Sequence, residues 1–132
     1  MTTATTRSAD PPSLRLPPER RIRRPAEFKH VYAVGKRLGN EFFTVSAQAN
    51  GLRCPRLGMS IAARILRRAV DRNRLRRLIR ESFRVHQLTL PPLDIVIGAR
   101  AGVLTADNAR LRSALEKLWL KISATCVISS AC

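Results

Sequence analysis

The amino-acid sequence predicts a single α+β domain, and three observations support this prediction. The chain has 132 residues, which is the size of one ordinary domain with short tails. Hydrophobic residues make up 45% of it, which is enough apolar material for a core. Stretches with helical and with strand periodicity follow one another in the order α-β-β-α-β-α. We therefore expect a small sheet covered by helices.

The chain is expected to begin with a tail and a short helix. Residues 1–18 contain four prolines and lack hydrophobic periodicity, so we expect them to be unstructured. A helix is predicted over Pro25–Val34, because proline suits a first turn, Glu27 complements the helix dipole and Gly35 ends the pattern. Its apolar face consists of Phe28, Val31 and Tyr32.

Two strands are predicted after this helix. The segment Glu41–Ala49 is rich in aromatic and β-branched residues and ends at the turn signal Asn50-Gly51. The segment Arg56–Ala62 places Leu57, Met59 and Ile61 on one face. The two strands could pair in antiparallel fashion across the loop that joins them.

The second half of the chain is predicted to contain two helices and one strand. A long basic helix is expected over Ile65–Val85, a mostly buried strand over Leu93–Ala99 and an amphipathic helix over Asp107–Ile122. Trp119 lies beside the apolar stripe of the last helix and is predicted to be in the core. We assign residues 19–122 to one RNA-binding domain and 123–132 to a C-terminal tail, for which fraying and an added strand both remain open.

The charge of the chain predicts a polyanionic partner. The formal net charge is +16, and 21 of the 25 basic residues are arginine. Arginine binds phosphate in bidentate fashion and stacks on bases, so nucleic acid is favoured over a membrane surface. Genome composition explains the ratio of arginine to lysine equally well, but it does not explain the net charge.

Several classes of protein are disfavoured by the sequence. The cysteines Cys54, Cys126 and Cys132 form no C-x-x-C pair, which disfavours zinc clusters and disulfide frameworks. No secretory signal or membrane-length apolar run is present, so a cytoplasmic protein is expected. The nine acidic residues are scattered, and His30 and His86 are far apart, so no catalytic residue and no metal site is predicted on the protein.

The basic helix separates its residues into two faces. On a helical wheel, one arc carries Leu75, Leu78, Ile79, Ser82 and Phe83. The opposite arc carries Asn73, Arg76, Arg77, Arg80 and Arg84. Like charges four residues apart repel each other, so a face of one sign indicates contact with phosphates rather than a solvated surface.

The same segment resembles the signature of the protein subunit of bacterial ribonuclease P. The resemblance centres on Arg72-Asn73-Arg74 within Gly58–Arg84 and extends more loosely over residues 20–122. It implies a two-layer αβββαβα sandwich with a left-handed β-α-β crossover, and therefore a short additional strand around Arg37–Gly39.

The resemblance also implies a function. In that family the RNA subunit is the catalyst that removes the 5′ leader of precursor tRNA and holds most of the Mg²⁺. The protein binds the leader and the catalytic RNA, and we expect one protein per RNA and no membrane partner.

The residues expected to contact RNA fall into two sets. The set expected to bind the catalytic RNA is Arg68, Arg72, Asn73, Arg74, Arg76, Arg77, Arg80 and Arg84. The set expected to bind the leader is Phe28, Lys29, Tyr32, Lys36, Arg37, Phe42, Thr44 and Ser46, because a basic groove with aromatic platforms suits a single strand. Core packing remains an equal alternative for the aromatic pair Phe28 and Tyr32.

Two departures from the family pattern and two alternative functions qualify this interpretation. The chain has Ala63-Arg64 where many relatives have two cations, and Ser46 where some have an aromatic residue in the cleft. A ribosome-associated or general RNA-binding chaperone is the first alternative function. A helix-turn-helix DNA-binding protein is the second, although the strand predicted before the basic helix disfavours it.

Overall fold

A computed structural model of the chain describes residues 20–22, 24–52 and 54–129, with side chains described up to residue 125. The tail predicted over residues 1–18 lies outside the described residues. In chain order the elements are α1 (Pro25–Val34), β1 (Lys36–Gly39), β2 (Phe43–Ala49), β3 (Arg56–Ser60), α2 (Ala69–His86), β4 (Leu93–Ala99) and α3 (Asn108–Ser129). This order confirms αβββαβα, and the short strand expected near Arg37–Gly39 is β1.

The four strands form one mixed sheet in the order β1-β2-β4-β3. Strand β4 pairs with β2 in antiparallel fashion and with β3 in parallel. The predicted hairpin between β2 and β3 is therefore wrong, because β4 lies between them. The residues from Leu93 to Ile97 are all buried, and a strand that is apolar on both faces belongs in the centre of a sheet.

Helices α2 and α3 cover one face of the sheet and enclose the main core. From the sheet this core contains Phe43, Val45, Ala47, Leu57, Ile95 and Ile97; from the helices it contains Leu75, Leu78, Ile79, Phe83, Leu111, Leu115, Leu118, Trp119 and Ile122. The prediction that Trp119 is a core residue is confirmed, since it is 1% exposed. Its ring packs edge-on against Phe83, and its Nε1 donates a hydrogen bond to Ser82 Oγ at 2.8 Å.

Helix α1 packs on the opposite face of the sheet. Val31 and Phe28 contact Ile22 and Val96 there and form a second, smaller cluster. The short helix covers only part of this face, because it is ten residues long and the sheet has four strands. Among the described residues, nothing covers the rest of this face beside α1.

Two helix boundaries differ from their predicted positions. Helix α2 begins at Ala69 and not at Ile65, because Arg72 Nη1 donates hydrogen bonds at 2.8 Å to the carbonyl oxygens of Leu66 and Arg67 and holds that segment in a turn. Helix α3 continues past the predicted end at Ile122 to Ser129, so the segment following Ile122 extends the helix instead of adding a strand.

The junction between α1 and β1 gives a first prediction. A Cβ atom on Gly35 would lie 2.5 Å from the carbonyl oxygen of Val31 and 2.8 Å from that of Ala47, and both are backbone atoms. We expect Gly35→Ala to lower the free energy of unfolding by about 1–3 kcal/mol, as overpacking does. Urea titration measures this change. The control Ala33→Ser adds one atom at an exposed site and is expected to change it by less than about 0.5 kcal/mol. Equal values for the two variants would show that α1 is not seated this closely.

Candidate nucleic-acid interface

Helix α2 presents a cationic face to solvent. Its buried residues are Leu75, Leu78, Ile79 and Phe83, which confirms the predicted apolar arc. On the outward side Asn73, Arg74 and Arg77 are exposed, whereas Arg76, Arg80 and Arg84 are half-buried. We call this outward side the α2 face.

The arginines of the α2 face crowd one another. Arg76 Nη1 donates to Asn73 Oδ1 at 3.1 Å, and Arg80 Nε lies 3.4 Å from the carbonyl oxygen of Arg76. Burial lowers the pKa of Arg80, and the positive charges of Arg21, Arg76 and Arg77 lower it further. A phosphate placed here would relieve this repulsion, so the α2 face is electrostatically suited to a polyanion.

Two arginines of the predicted set are engaged within the protein. Arg68 donates to Asp71 through Nε at 2.9 Å, and this hydrogen bond raises the pKa of Arg68 and lowers that of Asp71. Arg72 bonds the turn that precedes α2, as described above. Both guanidinium groups therefore stabilise the start of the helix, and contact of either with RNA stays a prediction.

A groove lies on the opposite face of the sheet, beside α1. Across the four strands, the register places Arg37, Ser46, Val96 and Gly58 in one row, and Gly39, Thr44, Gly98 and Ser60 in the next. The first row lies against α1, since Val96 packs on Val31 and Phe28 lies over Gly58. The second row forms the open floor. We call the space between α1 and this floor the groove.

The wall and floor of the groove combine an aromatic ring with polar and cationic groups. Tyr32 on α1 is 39% exposed, and Arg37 Nη2 lies 3.5 Å from its carbonyl oxygen. Thr44 is exposed on the floor, whereas Ser46 is buried next to α1. The floor is low because Gly98 has no side chain: a Cβ there would lie 2.6 Å from Thr44 Oγ1.

Three other residues of the predicted leader set lie elsewhere or only border the groove. Phe42 does not form the floor: it is buried in the main core, 5.4 Å from the guanidinium of Arg110 on α3. It precedes β2, so its side chain does not follow the alternation of the strand. Lys36 pairs with Ala47, whose side chain lies in the main core. The side chain of Lys36 therefore leaves the backbone on the face of the sheet that α2 and α3 cover. Lys29 is exposed on α1.

Arg100 belongs to the groove, although sequence reasoning did not select it as a site residue. It directly follows β4. Its Nη2 lies 3.5 Å from the position that a Cβ atom on Gly39 would occupy. With Arg37 it surrounds a shallow hollow at the β1 edge of the sheet. A cation directly after a buried strand is the sequence signal that could have identified it.

An ion-pair network fixes α1 above the sheet. Arg56 of β3 binds Asp94 of β4 through Nη2 at 2.7 Å and Nε at 2.8 Å, and it also contacts Glu27 of α1 at 3.3 Å. Asn50 Nδ2 donates to the same carboxylate at 3.1 Å. The hydrogen bond to Asp94 is the main cause that raises the pKa of Arg56 above its ordinary value. The network joins three elements that are distant in sequence.

The α2 face and the groove meet at the β3 edge of the sheet. A hollow of about 140 Å³ there is lined by Arg21, Arg76 and Arg80 together with Phe28 and Gly58. The arginines of the α2 face therefore reach the β3 edge, where Phe28 of α1 lies over Gly58.

Metal-ligand clusters and membrane-spanning helices are absent from the described part of the chain. Over 20–22, 24–52 and 54–129 no group of three or more His, Cys, Asp or Glu side chains is placed to hold a metal ion. Within the same ranges, no helix is long and apolar enough to cross a membrane.

Comparison with known proteins gives a consistent result. Residues 16–123 match the family described as ribonuclease P. The ribonuclease P protein component of Halorhodospira halophila is 48% identical over 106 residues, which is 80% of this chain and 87% of the relative. The RNase P protein of Staphylococcus aureus has a similar structure, with a TM-score of 0.73, 33% identity and coverage of 78% of this chain and 94% of that one. For the RNase P protein of Thermotoga maritima the TM-score is 0.70, with 32% identity and coverage of 77% and 96%.

Proposed function

This chain belongs to the ribonuclease P protein family, and we propose that it is the protein component of ribonuclease P, which binds the catalytic RNA and the 5′ leader of precursor tRNA. The observation that carries the proposal is the family match over residues 16–123, which contains both the α2 face and the groove. Together they provide one cationic surface for a structured RNA and one for a single strand.

We assign the catalytic RNA to the α2 face. A rigid helix with exposed Arg74 and Arg77 and half-buried Arg76, Arg80 and Arg84 suits a folded RNA, whose phosphates are fixed in space. Arginine forks bind such phosphates in bidentate fashion. Asn73 contributes a neutral amide in the middle of the cations.

We assign the 5′ leader to the groove. Single strands are bound by cationic grooves in which aromatic rings stack on bases. Tyr32 supplies an exposed ring, Arg37 and Arg100 supply cations, and the low floor at Gly98 lets the backbone of the strand approach the sheet. Phe28 contributes less to stacking, because it packs against Ile22 and the sheet.

We further propose that the RNA subunit performs the hydrolysis, which leaves a 5′-phosphate on the tRNA. Most acidic side chains of the described part are engaged in structure: Glu27 and Asp94 pair with Arg56, Asp71 with Arg68, Glu41 with Arg110 and Glu81 with Arg112. Mg²⁺ neutralises charge on the phosphates in such a reaction. Because the described residues do not form a ligand cluster that fits it, we assign this ion mainly to the RNA.

The remaining aspects of the function stay predictions. These are a ratio of one protein per RNA and a cytoplasmic location. The alternative of a ribosome-associated or general RNA chaperone receives no support from the relatives, which are ribonuclease P proteins.

The requirement for RNA gives a prediction about activity. We expect the purified protein alone to release no leader from precursor tRNA. We expect the protein together with the catalytic RNA to release the leader at a low Mg²⁺ concentration at which the RNA alone is slow. The reason is that the cations of the protein offset the repulsion between phosphates. The test compares the rate of leader release in three reactions, which contain the protein alone, the RNA alone, or both together. Cleavage by the protein alone that survives prior digestion with ribonuclease would contradict the proposal.

The α2 face gives a prediction about salt dependence. If Arg77 and Arg80 each contact one phosphate, Arg77→Ala with Arg80→Ala should flatten the plot of log K against log salt for the catalytic RNA by roughly 1.4–1.8. The matched control removes two exposed cations of α3 in the variant Arg112→Ala with Lys121→Ala and should leave the slope unchanged. The same change of slope in both double variants would mean that net charge alone, not the α2 face, determines binding.

A further inference from the structure

The groove does not end at the β1 edge of the sheet. A shallow hollow of about 450 Å³, bordered by Arg37 and Arg100, shares Asn40 and Glu41 with a second hollow of about 280 Å³. The second hollow is bordered by Phe42, Arg110, Ser113 and Lys117 and lies along α3. The open surface therefore passes from the groove, around the turn before β2, onto the first turns of α3.

Arg110 is held in position on this surface. Its guanidinium lies 5.4 Å from the centre of the Phe42 ring, and its Nη2 lies 3.8 Å from Glu41 Oε2. Its side chain is nevertheless 61% exposed. A cation that rests on a buried ring and still faces solvent loses little side-chain entropy when it binds an anion.

Asn40 fixes the turn that connects the two hollows. Its Oδ1 accepts hydrogen bonds from the backbone N–H groups of Phe42 and Phe43, both at 2.9 Å. Its Nδ2 donates to the carbonyl oxygen of Ala114 on α3 at 3.4 Å. The end of the groove and the start of α3 are thus joined by one side chain, and their cations keep a constant spacing.

Lys117 extends the surface along α3. It lies seven residues after Arg110, which is about two helical turns and about 10 Å on the same face. Both side chains are exposed. With Arg37 and Arg100 they form a series of cations that leads away from the groove.

The position of the α2 face gives this path a direction. Arg76 and Arg80 lie at the β3 edge, at the opposite side of the sheet from β1. If the catalytic RNA occupies the α2 face, the leader nucleotides next to the cleavage site enter the groove at the β3 edge. The nucleotides farther towards the 5′ end then leave at the β1 edge, next to Arg100.

We propose that Arg110 and Lys117 form a second binding segment for precursor tRNA, which takes the phosphates of leader nucleotides that extend beyond the groove. The inference rests on the proposed function, because it assumes a leader in the groove. It predicts that long leaders bind more tightly than short ones and that the gain depends on α3. Glu41 opposes this binding, since its carboxylate pairs with Arg110 and repels phosphate.

The test measures the dissociation constant of precursor tRNA from the assembled ribonucleoprotein, with leaders shortened one nucleotide at a time from the 5′ end. The variant Arg110→Gln with Lys117→Gln removes both charges but keeps side-chain atoms over Phe42. We expect it to bind the longest leaders roughly three- to tenfold more weakly and the shortest leaders like the wild type. We expect Glu41→Gln to strengthen binding of long leaders only.

Two controls separate the possible outcomes. The matched variant Arg112→Gln with Lys121→Gln should behave like the wild type at every leader length. If Arg110→Gln with Lys117→Gln weakened binding equally at all leader lengths, the inference would be overturned, because the two residues would then contact the catalytic RNA or the tRNA body. If this variant weakened binding at no leader length, the inference would also be overturned. If the wild type itself showed no preference for any leader, the proposed function of the groove would fail instead.

Discussion

The central strand β4 is buried on both faces, and the placement of both cationic surfaces depends on this constraint. Ile95 and Ile97 point into the core beneath α2 and α3, whereas Val96 between them packs under α1. A strand of this kind must have neighbours on both sides and helices on both faces, or its apolar side chains would meet water. Strands β2 and β3 therefore lie on either side of it, and α1 is separated from α2 by the sheet.

This arrangement determines what each face can bind. The face beneath α2 and α3 is filled by the core, so RNA on this side can reach only the outward surfaces of the two helices. In the part of the chain that the structure describes, the other face carries one helix of ten residues, and a floor of small and polar residues is left open. The buried carboxylate of Asp94 holds Arg56, which in turn contacts Glu27 of α1, and Val31 of the same helix packs on Val96 of β4. The width of the groove thus follows from contacts at β3 and β4.

The parts of the fold that local chemistry determines could be predicted from the sequence. The bounds of α1 and β4 agree with prediction, since Pro25 and Gly35 delimit the helix and an unbroken apolar run defines the strand. The two arcs of α2 were predicted because helical periodicity alone fixes them. In contrast, the parallel pairing of β3 with β4, the network of Arg56 and the place of Arg100 depend on residues that are distant in sequence. Phe42 belongs to the leader set predicted from the sequence but lies in the core, because it precedes β2 and the alternation of the strand does not extend to it.

The central claim is that one sheet separates a surface for the catalytic RNA from a surface for the leader. The most direct test compares Tyr32→Leu with Arg77→Ala in two affinities: that of the protein for the catalytic RNA, and that of the assembled complex for precursor relative to mature tRNA. We predict that Tyr32→Leu lowers only the preference for precursor, by up to about tenfold if the lost stacking contributes about 1.4 kcal/mol. Arg77→Ala should weaken only the affinity for the catalytic RNA. The claim would be contradicted if each variant lowered both the affinity for the catalytic RNA and the preference for precursor over mature tRNA while its melting temperature stayed unchanged.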